Sequence, residues 1–491
     1  MSGKPHIVIF NPDQWRADVM GHLGNEAAVT PNLDRLAGTE AVSFRNAFCQ
    51  NPVCTPSRCS FMSGWYPHVR GHRTMFHMMQ EDEPVLLRTL KDNGYEVWWG
   101  GKNDLVPAQN GFDAYCDIKY KPEKLPRPET NLHAADGWRG DPEGDNYYSF
   151  YAGRLEKAPD EEAYYDGDWA MVLGAIDFIR NAPHDKPMCI YLPLLYPHPP
   201  YGVEEPWFGR IDRDRLPERT PAPDWEKKPS LLKGIYDRQK LQGWTEDRWR
   251  ELRATYYGMC ARVDHQFGLL LDALKEAGLY DDTAVFFFSD HGDFTGDYGL
   301  VEKTQNTFED CLTNVPFLIK PPKGVDVQPR VSDALVELID FPATVEALVG
   351  LTPGHTHFGR SLLPVLAGER DEHRDAVFSE GGRLHGETQA MELESTSMGT
   401  SAGLYWPRVG LQQQEGPEHT KAVMCRTRDY KYVRRFYESD ELYDLRRDPR
   451  ETDNRIDDPE LAGVLASLKE RLLTFYMETA DVVPMKTDRR F

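Results

Sequence analysis

The segment CTPSRCSFMSG at residues 54–64 places a cysteine, a proline and an arginine in a spacing that suits chemistry on an anion. Pro56 and Ser57 stop residue 54 from continuing a strand and are typical of the first turn of a helix. Cys54 is then expected near a helix N-terminus, where free N–H groups and the helix dipole favour anions. Arg58 follows one turn later, so its guanidinium can face the same side as Cys54. The pattern leaves four roles open for Cys54: a nucleophile, a metal ligand, half of a disulfide or a small core residue.

Two apolar segments end in residues that could bind a metal ion. The segments are HIVIF at 6–10 and TAVFFF at 283–288. The polar residues that follow them are Asp13 and Gln14 after the first, and Asp290, His291 and Asp293 after the second. Carboxylates and an imidazole at the ends of buried strands suit a divalent cation, whereas capping of a following turn is the alternative for Asp290 and Asp293. Because both clusters follow apolar strands of one expected sheet, metal binding is favoured.

The elements that must position these residues alternate between apolar runs and helical patterns. The predicted strands are 6–10, 188–195, 283–290 and the end of 85–102. The predicted helices are 30–38, with Thr30 as its N-cap, the start of 85–102, 168–181 and 259–278. Nearly continuous apolar strands are typical of a parallel sheet that is buried on both faces. The sequence therefore predicts an α/β fold, with a large, mostly parallel central sheet flanked by helices and a ligand site outside the carboxyl ends of the strands.

Other parts of the chain differ in composition and in the periodicity of their apolar residues. The segments 117–165 and 203–250 are rich in proline and charge, and we predict long surface loops there, the first of which could wall a substrate pocket. Residues 422–436 alternate like a strand, and 460–478 form an amphipathic helical pattern. This change predicts a division into a catalytic α/β domain, residues 1–374, and a smaller C-terminal α+β subdomain, residues 375–491.

Composition excludes several classes of function. The chain has 491 residues and a formal net charge of −22, which argues against nucleic acid or an anionic membrane as a partner. No stretch approaches the roughly 20 apolar residues that cross a bilayer, and the apolar run near the N-terminus is too short for a signal peptide. The eight cysteines are scattered without a CxxC pair, which is typical of reduced thiols and a cytoplasmic location. An anionic substrate then requires a locally positive pocket.

Several segments together resemble one known family. The stretch at 54–64 matches the sulfatase signature Cys-x-Pro-Ser-Arg. The further segments that resemble the family, in chain order, are IVIFNPDQWRADVMG, TPNLDRLA, GGKNDL, LPLLYPHPPY, SDHGDFTGDYGLVEKTQNTFEDCLTNVPFLI and ELYDLRRDPRETDN. Because these segments span most of the chain, the sequence is identified as similar to formylglycine-dependent (type I) sulfatases of the alkaline phosphatase superfamily. The resemblance implies an alkaline phosphatase-like fold.

The resemblance also implies a cofactor, a modification and a set of site residues. Cys54 would be oxidised to formylglycine by a formylglycine-generating enzyme or an anaerobic sulfatase-maturating enzyme. A divalent metal is implied, with Ca²⁺ favoured by the oxygen-rich site and Mn²⁺ or Mg²⁺ as alternatives. The implied metal ligands are Asp13, Gln14, residue 54, Asp290 and His291. The implied catalytic residues are Cys54, Arg58, which steadies the formylglycine hydrate, and Lys102, His198 and Lys303, which face the sulfate and the leaving oxygen.

Two positions depart from the family pattern. The family's Lys-x-His appears here as Lys102-Asn103-Asp104, so a histidine that commonly contacts the formylglycine is missing. Asp104, His72 and His77 are the candidates to replace it. His291 stands where asparagine is commoner, a substitution also seen in phosphonate monoester hydrolases.

The function implied by the resemblance is hydrolysis of sulfate monoesters, which releases sulfate and an alcohol. The alternative is a phosphonate monoester or phosphodiester hydrolase that uses the same site, although Lys102 favours sulfate because a second fixed cation fits a sulfate pocket. A non-catalytic binder of sulfated glycans is a third reading. The expected partner is a small sulfated molecule, with a sulfated sugar as one candidate, because aromatic loop residues in 117–165 and 385–420 could pack on a sugar ring or on each other. A homo-oligomer is left open.

Overall fold

A computed structural model describes residues 3–132, 136–392, 400–414 and 416–490. Parts of the two loops proposed to contact a sugar, residues 133–135, 393–399 and 415, lie outside the described residues. The strands are β1 His6–Asn11, β2 Val42–Phe48, β3 Glu96–Trp99, β4 Ile118–Lys119, β5 Tyr151–Leu155, β6 Met188–Pro193, β7 Tyr201–Glu204, β8 Thr283–Phe288, β9 Phe317–Lys320, β10 Arg330–Glu337, β11 Val377–Gly381, β12 Ala422–Arg426, β13 Tyr430–Arg435 and β14 Glu441–Asp444.

The α-helices are distributed along the whole chain. They are α1 Pro31–Thr39, α2 Cys54–Ser63, α3 Pro67–Arg70, α4 Leu86–Asp92, α5 Gly167–Asn181, α6 Trp207–Arg210, α7 Ser230–Gln239, α8 Glu246–Glu276, α9 Asp310–Thr313, α10 Asp340–Val349, α11 Leu363–Leu366, α12 Trp406–Val409 and α13 Ala462–Thr479. In the described residues, none of these helices combines the length and apolarity that a bilayer span requires. The cytoplasmic location stays a prediction.

Eight strands form the central sheet in the order β10-β2-β9-β8-β1-β6-β3-β4. Neighbouring strands are parallel except where β9 runs antiparallel to β2 and β8. The predicted α/β fold with a large, mostly parallel sheet is confirmed. A second, two-stranded sheet pairs β5 with β7.

The central strands are apolar because both faces of the sheet are covered. Alternate residues of β1 point to opposite faces: Val8 and Phe10 pack in the cluster formed with α5 and α8, whereas Ile7 and Ile9 pack in the cluster formed with α2, α4 and α10. On the first face, the Phe10 and Phe267 rings meet edge to face with centroids 5.1 Å apart. This double burial holds the ends of β1 and its neighbours in fixed positions.

Two local predictions differ from the structure. The helix predicted at 259–278 begins at Glu246, inside the stretch 203–250 that was predicted as loop, because Thr245 caps it by accepting a hydrogen bond from the Arg248 N–H. Thr30 occupies the predicted N-cap position of α1, but its side chain makes no cap. Its hydroxyl instead accepts a hydrogen bond from the Gly21 N–H.

The C-terminal part of the described chain forms its own antiparallel sheet, in the order β11-β12-β13-β14. Helix α13 packs on this sheet, with the rings of Phe378 and Phe475 stacked at a centroid distance of 3.9 Å. The predicted smaller α+β subdomain is confirmed. The boundary at residues 374 and 375 stays a prediction.

Candidate active site

Two adjacent strands bring the first pair of carboxylates together. Strands β1 and β8 are parallel neighbours, with Phe10 opposite Phe287 near their carboxyl ends. Asp13 and Asp290 follow these ends, and both side chains are completely buried. Arg58 bridges them, because its Nη2 lies 3.1 Å from Asp13 Oδ2 and 2.8 Å from Asp290 Oδ2. The buried guanidinium thus compensates two carboxylates that would otherwise repel each other.

Cys54 is the first residue of α2, as predicted from its proline and serine neighbours. Its Sγ lies 3.2 Å from His291 Nε2, 3.6 Å from Asp13 Oδ1 and 3.4 Å from Lys102 Nζ. Arg58 lies one turn later in the same helix, and its side chain reaches the carboxylates of Asp13 and Asp290. A buried helix start therefore places residue 54 between acidic and basic groups.

The donor atoms around residue 54 suit a divalent cation. One ligand atom from each of Asp13, Cys54, Asp290 and His291 lies within 4.8 Å of the others. His291 Nδ1 lies 2.9 Å from the Gly292 carbonyl oxygen, so Nδ1 carries the proton and Nε2 presents its lone pair to the cluster. Carboxylate oxygens match the preference of Ca²⁺, and the neutral imidazole beside them also suits Mn²⁺. These residues fit a metal ion.

Burial and charge set the protonation of this cluster. Burial would raise the pKa of Asp13, but Lys102, His198 and Arg58 outweigh it and hold that pKa well below its ordinary value. Burial lowers the pKa of His291, which keeps its imidazole neutral. Burial and the nearby Asp13 raise the pKa of the Cys54 thiol to about 12. Carboxylate and imidazole are ready to bind a cation, whereas the sulfur is a protonated thiol at neutral pH.

Lys102 comes from the turn after β3 and lies on one side of residue 54. Its Nζ is 2.6 Å from Asp13 Oδ2 and 2.8 Å from Asp104 Oδ2. The two carboxylates raise the pKa of Lys102 well above its ordinary value although burial opposes this. A permanent positive charge is therefore held next to Cys54.

Lys303 contacts two further site residues that the sequence singled out. Its Nζ donates to Gln14 Oε1 over 2.7 Å and to His198 Nε2 over 2.9 Å. His198 Nδ1 donates to the Pro199 carbonyl oxygen over 2.6 Å, so its Nε2 is the acceptor from Lys303. Gln14 adjoins the cluster of possible metal ligands through its backbone N–H, which donates to Asp290 Oδ1 over 3.1 Å.

The structure separates the three candidates for the missing histidine. Asp104 pairs with Lys102 and so lies at the edge of the site. His72 Nε2 lies 3.0 Å from a carboxylate oxygen of Glu83, and its Nδ1 donates to the His77 carbonyl oxygen. Of these groups, Asp104 is the one whose partner, Lys102, contacts Cys54 directly.

Sequence reasoning missed several supporting residues. Ser57 Oγ donates to the Asp290 carbonyl oxygen over 2.6 Å, and the Tyr191 hydroxyl lies 3.3 Å from Arg58 Nη1. Glu302 Oε1 lies 2.9 Å from Lys303 Nζ. Ser57 is inside the 54–64 motif and Glu302 is next to Lys303, so both had a sequence signal, whereas Tyr191 on β6 had none.

The sequence and the fold of this chain are similar to those of known proteins. A family model described as Sulfatase matches residues 5–351. The chain is 28% identical over 411 residues to an arylsulfatase of Clostridium perfringens (strain 13 / Type A), which covers 77% of this chain and 81% of that protein. The phosphonate monoester hydrolase of Agrobacterium radiobacter superposes with a TM-score of 0.74 at 22% identity, over 99% of this chain and 100% of that one. A 2-O GAG sulfatase superposes with a TM-score of 0.71 at 22% identity, over 97% of this chain and 93% of that one.

The central sheet, together with the smaller antiparallel sheet, is the α/β fold that this chain shares with these two solved structures. Because the Sulfatase model matches residues 5–351 of 491, the chain belongs to the sulfatase family. The family resemblance found in the sequence is confirmed.

Proposed function

We propose that this protein hydrolyses sulfate monoesters, consuming one water molecule and releasing an alcohol and sulfate. The observation that carries the proposal is the convergence of Asp13, Asp290 and His291 on residue 54, with Lys102 in contact with Cys54 and Lys303 in contact with Gln14. A sulfate group is a dispersed anion, and Lys102 and Lys303, together with a divalent ion in the cluster, would supply the positive charge that its oxygens require. Membership of the sulfatase family supports the same reaction.

We propose that Cys54 is the precursor of the nucleophile. Its thiol is held protonated by a pKa of about 12 and is therefore a poor nucleophile at neutral pH. Conversion to formylglycine would supply a hydrated aldehyde oxygen as nucleophile at the same position. A formylglycine-generating enzyme or an anaerobic sulfatase-maturating enzyme is the partner that this conversion needs.

The proposed metal ligands are Asp13, Gln14, residue 54, Asp290 and His291. A bound divalent ion, Ca²⁺ or in its place Mn²⁺ or Mg²⁺, would supply Lewis-acid polarisation of oxygen atoms at this point. The protein's own part is to hold the donors in place, and Arg58 does so by bridging Asp13 and Asp290. The neutral imidazole of His291 adds a donor without adding charge.

The remaining side chains act on the substrate. Lys102 and Lys303 provide positive charge for the sulfate oxygens, and both are protonated at neutral pH because nearby acidic groups outweigh burial. The hydrogen bond between Lys303 and His198 holds a proton on this pair. That proton can be donated to the departing alcohol oxygen. These cations also explain how an acidic protein with a net charge of −22 can bind an anion.

Phosphonate monoester hydrolysis is the second candidate, because His291 and Gln14 suit that activity and the fold resembles a phosphonate monoester hydrolase. Lys102 favours sulfate as the substrate group, because a second fixed cation fits a sulfate pocket.

The deciding experiment compares kcat/KM for 4-nitrophenyl sulfate and 4-nitrophenyl phenylphosphonate on protein matured in cells that convert Cys54. A higher value for the sulfate is expected, and a higher value for the phosphonate would overturn the assignment. A sulfated sugar stays a candidate substrate, and a homo-oligomer stays an open possibility.

A further inference from the structure

A cavity of about 590 Å³ opens beside Lys102 and His198. Its other walls are formed by residues of the segments 125–132, 164–171 and 195–200. The volume lies in the range of small-molecule sites, about 300–1,000 Å³. Because Lys102 Nζ is only 3.4 Å from Cys54 Sγ, the cavity adjoins the position where the sulfate group would react.

Most of the cavity wall is apolar. Leu132, Met171 and Leu195 contribute aliphatic surface, and Tyr164 and Tyr196 contribute rings. Met171 packs close to the backbone of the site, since its Cγ would lie 3.7 Å from a Cβ added at Gly101. A wall of this kind favours a ring over a heavily hydrated group.

The cavity wall contains two acidic side chains, Asp166 and Asp168. Asp166 pairs with the buried Arg262, whose Nη2 lies 2.6 Å from Asp166 Oδ1. The Asp168 carboxylate accepts hydrogen bonds of 2.8 Å from the backbone N–H groups of residues 195 and 196. Burial and the neighbouring Asp166 raise the pKa of Asp168 to about 7, and the same burial and negative charge would oppose a further anion beside it.

The basic side chains of the cavity are already engaged. Among the described lining residues these are Lys102 and Arg127. Lys102 contacts Asp13 and Asp104, and Arg127 Nη2 pairs with Asp160 outside the cavity. A second anionic group on a ligand would therefore meet Asp166 and Asp168, and it would have to compete with Asp160 for Arg127.

We infer that this cavity holds the alcohol part of the substrate and selects sulfate esters whose alcohol is an uncharged ring with an apolar face. The inference rests on the proposed hydrolysis of sulfate monoesters. A ring that carries a second sulfate or a carboxylate is rejected, because that group would lie against Asp166 and Asp168. If the substrate is a sulfated sugar, it therefore carries no anionic group besides the sulfate that is removed.

The test uses two esters of nearly equal shape, methyl 4-(sulfooxy)benzoate and 4-(sulfooxy)benzoate, with the matured full-length protein. The methyl ester is expected to have a kcat/KM at least about tenfold higher, because like-charge contact is avoided. In Met171→Arg, a cation is added to the wall, and the ratio of the two kcat/KM values is expected to fall at least about tenfold. Met171→Gln is the matched neutral variant and should keep the wild-type ratio.

Two further controls keep the result interpretable. Leu473→Arg adds the same charge at a side chain that is 61% exposed on α13 and should leave the ratio unchanged. Calorimetric binding of the product phenols, methyl 4-hydroxybenzoate and 4-hydroxybenzoate, to unconverted protein measures the cavity without any turnover. Failure of all sulfate esters to react would refute the proposed function, while the phenol binding would still decide the cavity. Equal or tighter binding of the carboxylate phenol, or an unchanged preference in folded Met171→Arg, would overturn the inference.

Discussion

Gln14 Nε2 donates a hydrogen bond to Asp293 Oδ2 over 2.5 Å, and this contact decides which way the Gln14 amide faces. The carboxylate needs a donor, so the amide oxygen must point the other way, where it accepts from Lys303 Nζ over 2.7 Å. The Tyr201 hydroxyl donates to the same carboxylate and thereby holds it in place. Asp293 thus contacts Gln14 directly, whereas the sequence left metal binding and capping of a turn as its two alternatives.

The first prediction concerns this orientation. In Asp293→Asn the side chain keeps its size but can offer an N–H group to Gln14, so the amide is free to turn its oxygen away from the site. We expect binding of Ca²⁺ or Mn²⁺, measured by calorimetry, to weaken by about 10–100-fold. Asp185→Asn, at an exposed position, is the matched control. Unchanged metal affinity in folded Asp293→Asn would refute this role.

The second prediction concerns the nucleophile. Cys54→Ala removes the atom from which formylglycine would be made, so hydrolysis of 4-nitrophenyl sulfate should fall by about 10³-fold or more. Sulfate release is measured by ion chromatography. Cys311→Ser, at a partly exposed thiol outside the site, should keep its activity. Retention of most activity in Cys54→Ala would contradict a formylglycine mechanism.

The third prediction concerns Lys102. Lys102→Gln removes the charge next to residue 54 but keeps a side chain that can donate to Asp13, so kcat/KM for the aryl sulfate should fall by about 10²–10³-fold. The loss should be smaller for an aryl phosphonate, for which a fixed second cation matters less. Lys233→Gln, at an exposed lysine on α7, controls for the change in net charge. Equal losses on both substrates would show that Lys102 does not distinguish them.

The fourth prediction concerns acid stability. Although Glu83 is buried, hydrogen bonds from His72, the Gln80 N–H and Arg70 lower its pKa from 4.5 to about 2. A carboxyl group whose pKa is lower in the folded than in the unfolded state stabilises the fold at any pH above its unfolded pKa. This contribution is lost as the pH falls from about 4.5 to about 2. The free energy of unfolding, measured by urea titration at several pH values, should fall less steeply over this window in Glu83→Gln. The exposed substitution Glu369→Gln should keep the wild-type slope, and a Glu83→Gln slope equal to wild type would contradict the assignment.

Much of the fold followed from local patterns. The apolar segments at β1, β6 and β8 could be read as buried parallel strands because double burial removes polar residues from both faces. The start of α2 at Cys54 followed from Pro56 and Ser57, since the proline ring fits only the first turn. The beginning of α8 was missed, because its first turns are highly charged and their burial depends on distant packing partners.

The sequence by itself determined the candidate chemistry: the modifiable cysteine, the acidic residues after two buried strands and the order of the family segments. Only the tertiary structure decided the orientation of the Gln14 amide, the pairing of Asp104 with Lys102 and of His72 with Glu83, and the acidic side chains of the neighbouring cavity. Gln14 and Asp293 are 279 residues apart in the chain, and Asp166 and Arg262 are 96 apart. Contacts of this kind leave no periodic trace in the sequence, because their hydrogen bonds and charges depend on distance and direction in space.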